Sequence, residues 1–259
     1  MATDRPPVAV QYSLPNSVPE WELPEVPVPE SPEHDEMADR LRSVLLAWAT
    51  RTGAGGTVRR NLAIRWDAQN LRVGVDPDVC WIDRIPPGWN EGQVGSLCLW
   101  QAGHFVPPLA IEIVSRHHPY KDYARVQDKY AVVGVQELWV YDPRKWGPKN
   151  LGGAVLLQVW TRNGAGVLVR RHFGDEPARS RLLGSWLVPG YGRHLQLAND
   201  ERGTQSWPSL AEEEHARAEQ EHARAEQEHA RAERERTRAD RLEAEVERLR
   251  AQFEKNSQS

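Results

Sequence analysis

Cysteine is scarce in this chain, with two in 259 residues, Cys80 and Cys98, both in apolar company. No pattern of paired cysteines is present, so a disulfide framework or a structural zinc site is not expected. Buried free thiols fit a reducing cytoplasm. Long apolar runs are missing too. Residues 1–10 carry no secretory h-region, and no segment has the length needed to span a membrane. A soluble cytoplasmic protein with no membrane partner is the expectation. A strong net charge is also lacking: the formal value is −4. It is unevenly spread, at −5 over residues 1–33, +5 over 34–202 and −4 over 203–259. A mildly basic middle permits phosphate binding without demanding it. Hydrophobic residues reach only 39%. That is low for a chain globular throughout, so part of it should lie outside a core.

What is present divides the chain in three. Residues 1–30 hold Pro6, Pro7, Pro15, Pro19, Pro24, Pro27 and Pro29. Proline removes backbone donors and fixes φ, so this reads as a disordered arm, with Trp21 and Leu23 able to pack on the neighbouring domain. That domain, over 31–205, opens at Ser31-Pro32, an N-cap followed by a proline suited to the first helical position. Met37, Leu41, Val44, Leu45 and Trp48 recur at helical spacing, and Gly53 to Gly56 end that helix. Leu62, Ile64 and Trp66 alternate with polar residues as in a half-buried strand. Strands are predicted at Val79–Ile82, Leu109–Ser115 and Glu137–Tyr141, a helix over Lys121–Val133 stopped by Gly134, and a hairpin across Leu156–Thr161 and Val167–His172. Helix, strands, helix, strand and hairpin in that order imply an α/β domain with a mixed sheet.

Residues 210–255 form a helical heptad-repeat tail. Glu-His-Ala-Arg-Ala-Glu-Gln starts at Glu214 and again at Glu221, and its first six residues recur from Glu228. Ala218, Ala225, Ala232, Ala239, Val246 and Phe253 share one heptad line, joined late by Leu242 and Leu249. Alanine buries little area, so only the last part offers a coiled-coil seam for weak self-association. Before residue 240 a solvated helix held by i,i+4 charge pairs explains the pattern equally well. His215, His222 and His229 read as by-products of the repeat rather than a metal ladder.

The chemistry lies between Pro77 and Pro143. Glu112 interrupts the apolar strand Leu109-Ala110-Ile111-Glu112-Ile113-Val114, on the face it shares with Ala110 and Val114. A buried acid needs a compensating partner. Asp78 stands at the start of another apolar strand, and Lys129 lies one helix after Glu112. Two carboxylates and a lysine suit a hard divalent cation, with the lysine orienting water or stabilising a transition state. Plainer readings exist for each. Asp78 can start its strand through a turn, and Lys129 can be a salt-bridge partner of Glu112. Asp122 can orient the lysine or cap the helix, and Asp76 can serve the turn. His34, Glu33 and Glu36 begin the first helix and can approach the site, although the helix dipole already explains acids there.

Pro77-Asp78, Pro108 to Ser115, Asp122, Lys129-Tyr130, Gly134-Val135 and Glu137 to Pro143 together resemble the Uma2 (DUF820) family. That family is a branch of the PD-(D/E)XK, restriction-endonuclease-like fold, and the resemblance spans roughly residues 32–200. It implies a mixed β-sheet core flanked by helices, with Asp78 and Glu112 as ligands of Mg²⁺ or Mn²⁺. It makes Lys129 the catalytic lysine, since the usual slot two residues after the acid holds Val114. Asp122 and Asp76 would be supporting acids. The implied activity is a Mg-dependent endonuclease hydrolysing phosphodiester bonds in DNA. The alternative is a catalytically weak nuclease-fold module that binds DNA or protein and assembles through its tail. Two departures, the proline-rich arm in place of a first strand and the Gly- and Trp-bearing loop Pro86–Gln101, bear on the substrate pocket.

Overall fold

A computed structural model describes residues 18, 21–23, 31–89, 95–117, 119–190 and 194–257, and past residue 250 the backbone alone. Much of the predicted arm, part of the Pro86–Gln101 loop and the side chain of Phe253 lie outside the described residues. Contacts divide the chain into two units, at Leu210.

Two strands set the architecture of the first unit. The segments Leu109–Ile113 (β6) and Glu137–Tyr141 (β7) are buried at every position, so both faces must be covered. They pair in parallel and occupy the middle of a six-stranded mixed sheet. Its other members are β1 (Thr57–Arg60), β4 (Val79–Ile82), β8 (Leu157–Arg162) and β9 (Leu168–Gly174), in the order β1-β4-β6-β7-β8-β9. A parallel pair requires a crossover, here the helices α2 (Pro119–Ala124) and α3 (Val126–Val133).

One sheet face packs Ile111, Ile113, Trp139 and Tyr141 against α1 (Pro32–Thr52) and a small sheet. That sheet consists of β10 (Ala178–Arg179), β11 (Trp186–Pro189) and β12 (Leu195–Ala198). The other face packs Ala110, Val114, Leu138 and Val140 against Tyr123, Val126, Tyr130 and Val133 of the crossover helices. A second small sheet, β3-β2-β5, completes that layer, with β2 at Ile64–Arg65, β3 at Gly74–Val75 and β5 at Leu97–Cys98. This is the helix-flanked mixed sheet that the resemblance implies. Glu112 alternates with Ile111 and Ile113, so it belongs to the α2/α3 face.

The first helix begins as its sequence predicts. Ser31 Oγ accepts the His34 N–H, Pro32 follows it, and Gly53 closes the helix in the left-handed region. The predicted helix Lys121–Val133 is instead two. The Gln127 side-chain amide takes the Asp122 carbonyl, which a continuous helix would offer to the Val126 N–H, and Arg125 leaves helical φ. Strand β1 has no signal in the sequence pattern. Its residues Thr-Val-Arg-Arg include one apolar side chain, Val58, and show no alternation. It lies at the sheet edge, where Arg60 reaches Asp35 and Asp39 of α1. Glycine is required just before it, since a Cβ on Gly56 would collide with the Ile82 carbonyl. Trp21 packs edge-on against Trp66, and the Leu23 N–H donates to the Arg72 carbonyl.

The second unit is helical. α4 runs over Leu210–Ser257, and pairs such as Arg224–Glu228 and Arg231–Glu235 sit at i,i+4 spacing. Leu242, Val246 and Leu249 are exposed on it, as are His215, His222 and His229.

Candidate active site

Strand β4 runs antiparallel to β6 with Val79 opposite Ile111 and Cys80 opposite Ala110. Continuing that register by one residue places Asp78 opposite Glu112. In an antiparallel pair the N–H and C=O of one residue point the same way. Those of Ile113 therefore point toward β4, just where Pro77 can offer no N–H. Side chains take over both groups. The Ile113 N–H donates to Asp78 Oδ2 at 2.5 Å. The Ile113 carbonyl lies 3.1 Å from His34 Nε2. A carbonyl only accepts, so Nε2 carries the proton, and it also stands 3.3 Å from Asp78 Oδ2. The first turn of α1 thus reaches the end of the central sheet.

Glu112 is 2% exposed. The Tyr130 hydroxyl donates to its Oε1 at 2.5 Å. Burial pushes the Glu112 carboxyl up to about 8, the Asp78 and Asp122 charges push the same way, and the Lys121 ammonium opposes them. Asp122 is buried in the first turn of α2. Burial raises it, followed by Asp78, against the pull of Lys121 and of a hydrogen bond from the Ser115 backbone. The three acids are therefore close enough to feel one another, and each burial has an energetic cost that a cation would offset.

Two lysines border these acids, with opposite behaviour. Lys129 is buried and its Nζ donates to the Gly74 carbonyl at 3.4 Å. Burial, and then the neighbouring Lys121 charge, lowers it to about 8. Lys121 is raised, by Glu112 first and then by Asp122, Asp78 and Asp76. It is an exposed residue, so solvent screening weakens that field without reversing it. Asp76 is committed elsewhere, to Arg65 at 2.6 Å.

The sequence-predicted residues Asp78, Glu112, Asp122, Lys129 and Asp76 thus share one electrostatic neighbourhood. No ion pair between Lys129 and Glu112 is found among the described residues. Two contributors, Lys121 and Tyr130, carry no distinct role in the sequence pattern, and a third, His34, is legible there only as a residue able to approach the site. Lys121 reads as an ordinary charge beside Asp122. His34 reads as part of a helix start that can approach the site, and it does so as a donor to the Ile113 carbonyl. Tyr130 is only a motif position, yet its four-residue spacing from Val126 and Gly134 sets it on the buried side of α3.

For a divalent cation the donor chemistry fits in part. Asp78 uses Oδ2 and Glu112 uses Oε1 in the hydrogen bonds described, which leaves Asp78 Oδ1 and Glu112 Oε2 as hard oxygen donors. Among the described residues no group of three or more histidine, cysteine or acidic side chains is arranged to hold a metal ion. A Mg²⁺ held by two carboxylates would keep several waters, as that ion does readily.

Residues 22–147 match the model of the Uma2 family, described as "Putative restriction endonuclease". That range contains every residue of the site, and the resemblance drawn from the sequence motifs holds over it. Among solved structures, one described as a "putative nuclease belonging to DUF820" from Anabaena variabilis is similar, with 16% identity and a TM-score of 0.41. The match covers 61% of this chain and 76% of that one. No curated protein matches the chain.

Proposed function

We propose that this chain is a divalent-cation-dependent endonuclease that hydrolyses phosphodiester bonds in DNA. The observation that carries the reading is the Asp78–Glu112 row, in which two buried carboxylates on adjoining strands each have one oxygen held by a donor and one left over. The Uma2 match over the same residues supports it. Asp78 and Glu112 would hold Mg²⁺ or Mn²⁺, which supplies charge stabilisation at the phosphoryl oxygens and acidifies water.

The remaining roles fall to this chain's own groups. The Ile113 N–H and His34 fix the Asp78 carboxylate, and the Tyr130 hydroxyl fixes Glu112. Lys129, lowered to about 8, lies near the pH at which a general acid or base works best, and it can orient the attacking water. Lys121 keeps its charge and faces the same acids, so it can attract the substrate phosphate. Asp122 holds Lys121 cationic beside them. Residues 31–205 would be the catalytic domain, 1–30 an arm and 210–255 a tail whose last turns self-associate. A cytoplasmic location belongs to the same reading, in keeping with the free thiols of Cys80 and Cys98.

A second reading, a catalytically weak module that binds DNA, is favoured by one observation: the two carboxylates lack a third ligand among the described residues. Calorimetric titration with Mg²⁺ and Mn²⁺, paired with cleavage of linear and supercoiled DNA, separates the two. The endonuclease reading expects one cation site that is lost in Glu112→Ala, and cleavage with Mg²⁺ or Mn²⁺ but not with Ca²⁺. DNA binding without cleavage under every metal assigns the module instead. Cleavage by Glu112→Ala at the wild-type rate removes the site assignment.

A further inference from the structure

We infer that residues 239–250 of α4 pair with the same segment of a second copy as a parallel two-stranded coiled coil, and that residues 211–235 stay unpaired. Leu242, Val246 and Leu249 are 54%, 46% and 55% exposed on this helix, and they follow one another at steps of four and three. With Ala239 and Val246 at a, Leu242 and Leu249 take d. A β-branched residue at a with leucine at d favours two parallel strands. By sequence, Phe253 is the next a position.

Charge decides both the orientation and the boundary. In a parallel pair each g residue meets the e residue five positions later on the partner helix. Arg238 then meets Glu243, and Glu245 meets Arg250. The two-fold axis makes four attractive contacts around four apolar layers, those of Ala239, Leu242, Val246 and Leu249. One heptad earlier the same rule sets Arg231 against Arg236, and further back Arg224 and Arg217 against His229 and His222. The d positions there are Glu214, Glu221, Glu228 and Glu235, which would press like charges together at the seam, with only alanine at a. Upstream pairing is therefore opposed at every d layer and gains little at any a layer. Those glutamates have local partners instead: Glu228 and Glu235 bind Arg224 and Arg231 on their own helix. A seam this short pairs only weakly.

Sedimentation equilibrium of the full chain, taken to about 500 µM, is the first test. Wild type should show a reversible monomer–dimer equilibrium, and Leu249→Glu should be monomeric with the same helical circular dichroism. Glu245→Arg and Arg250→Glu should each weaken the dimer about tenfold, and the two together should restore it. Oxidised Leu249→Cys should form a disulfide-linked dimer that wild type does not, because d faces d in a parallel pair. The inference is overturned by a wild type monomeric throughout, which would leave the seam to a foreign helix. It is equally overturned by dimers indifferent to Leu249→Glu, by charge changes that fail to compensate, or by crosslinks only in mixtures of Leu249→Cys with Val246→Cys, the antiparallel signature.

Discussion

A lysine lowered by burial is a strained residue, and Lys129 shows what that strain predicts. Its folded value is about 8 against an ordinary 10.5. Below the folded value both states are protonated, so the full cost of burying the charge falls on the fold. As pH rises from about 8 toward 10.5 the folded state releases its proton first, and the cost fades. Lys129→Met keeps the stem and removes the charge. It should stabilise the protein at pH 7 by on the order of 1–2 kcal/mol while abolishing or slowing DNA cleavage. Melting curves at pH 7 and pH 9.5 check this: the advantage of the variant should shrink at the higher pH, and a constant gap would contradict it. Glu137 behaves differently. Its carboxylate is fully buried and accepts from Trp139 Nε1, Ser180 Oγ and the Arg181 and Leu182 N–H groups. Glu137→Gln would turn one acceptor oxygen into an NH₂ facing these donors. A loss of about 1–3 kcal/mol of stability should result, and an unchanged melting temperature would show that the network tolerates the swap. At this scale Glu112 is legible because an acid in an apolar strand has no innocuous place to point. Lys121 is not, since a lysine beside an aspartate at a helix start is ordinary on any surface.

Whole elements are legible in proportion to how much of their own sequence dictates them. α1 carries its cap, its proline and its apolar face in one continuous stretch, and β6 is apolar throughout except for Glu112. The interruption between α2 and α3 depends on one side-chain amide finding a carbonyl, a choice no periodicity records. The short β10–β12 sheet pairs successive strands and is held in place by Leu187, Leu195 and Leu197 packing into the first core rather than by local preference. What α1 contributes to the site also depends on tertiary placement, through His34. His34→Ala would strand the Ile113 carbonyl and remove a donor beside Asp78. A stability loss of about 1–2 kcal/mol is expected from the carbonyl alone. If His34 also positions Asp78, Mn²⁺ affinity should drop by several-fold at a temperature well below melting, and His34→Gln, which retains a donor, should recover part of it. A destabilised variant that binds Mn²⁺ as tightly as wild type would confine His34 to a structural role.

At the scale of the whole chain, the two cores end well before the tail begins. Their last buried member is Leu197, with Trp207 packed on the edge of the first. The segment just after β12 is nonetheless fastened. The Trp207 N–H donates to the Leu197 carbonyl at 2.7 Å, and Arg51 reaches the Pro208 carbonyl at 3.3 Å and stacks over the Trp207 ring. Ser209 is buried as well. A chain ending at Ser209 should therefore melt at the full-length temperature, with only helical signal lost, whereas one ending at Gln205 should lose about 2–4 kcal/mol with the anchor of Trp207. Charge adds a condition to that experiment. The arm and the middle cancel, so the whole formal net charge of −4 rests on residues 203–259. Removing the tail leaves a formally neutral protein, and neutral proteins associate and precipitate more readily. The comparison must be made at low concentration and shown to be reversible. Loss of solubility with an unchanged melting temperature would identify α4 as a solubilising element. A lower melting temperature at Ser209 would show that the helix stabilises the first unit directly.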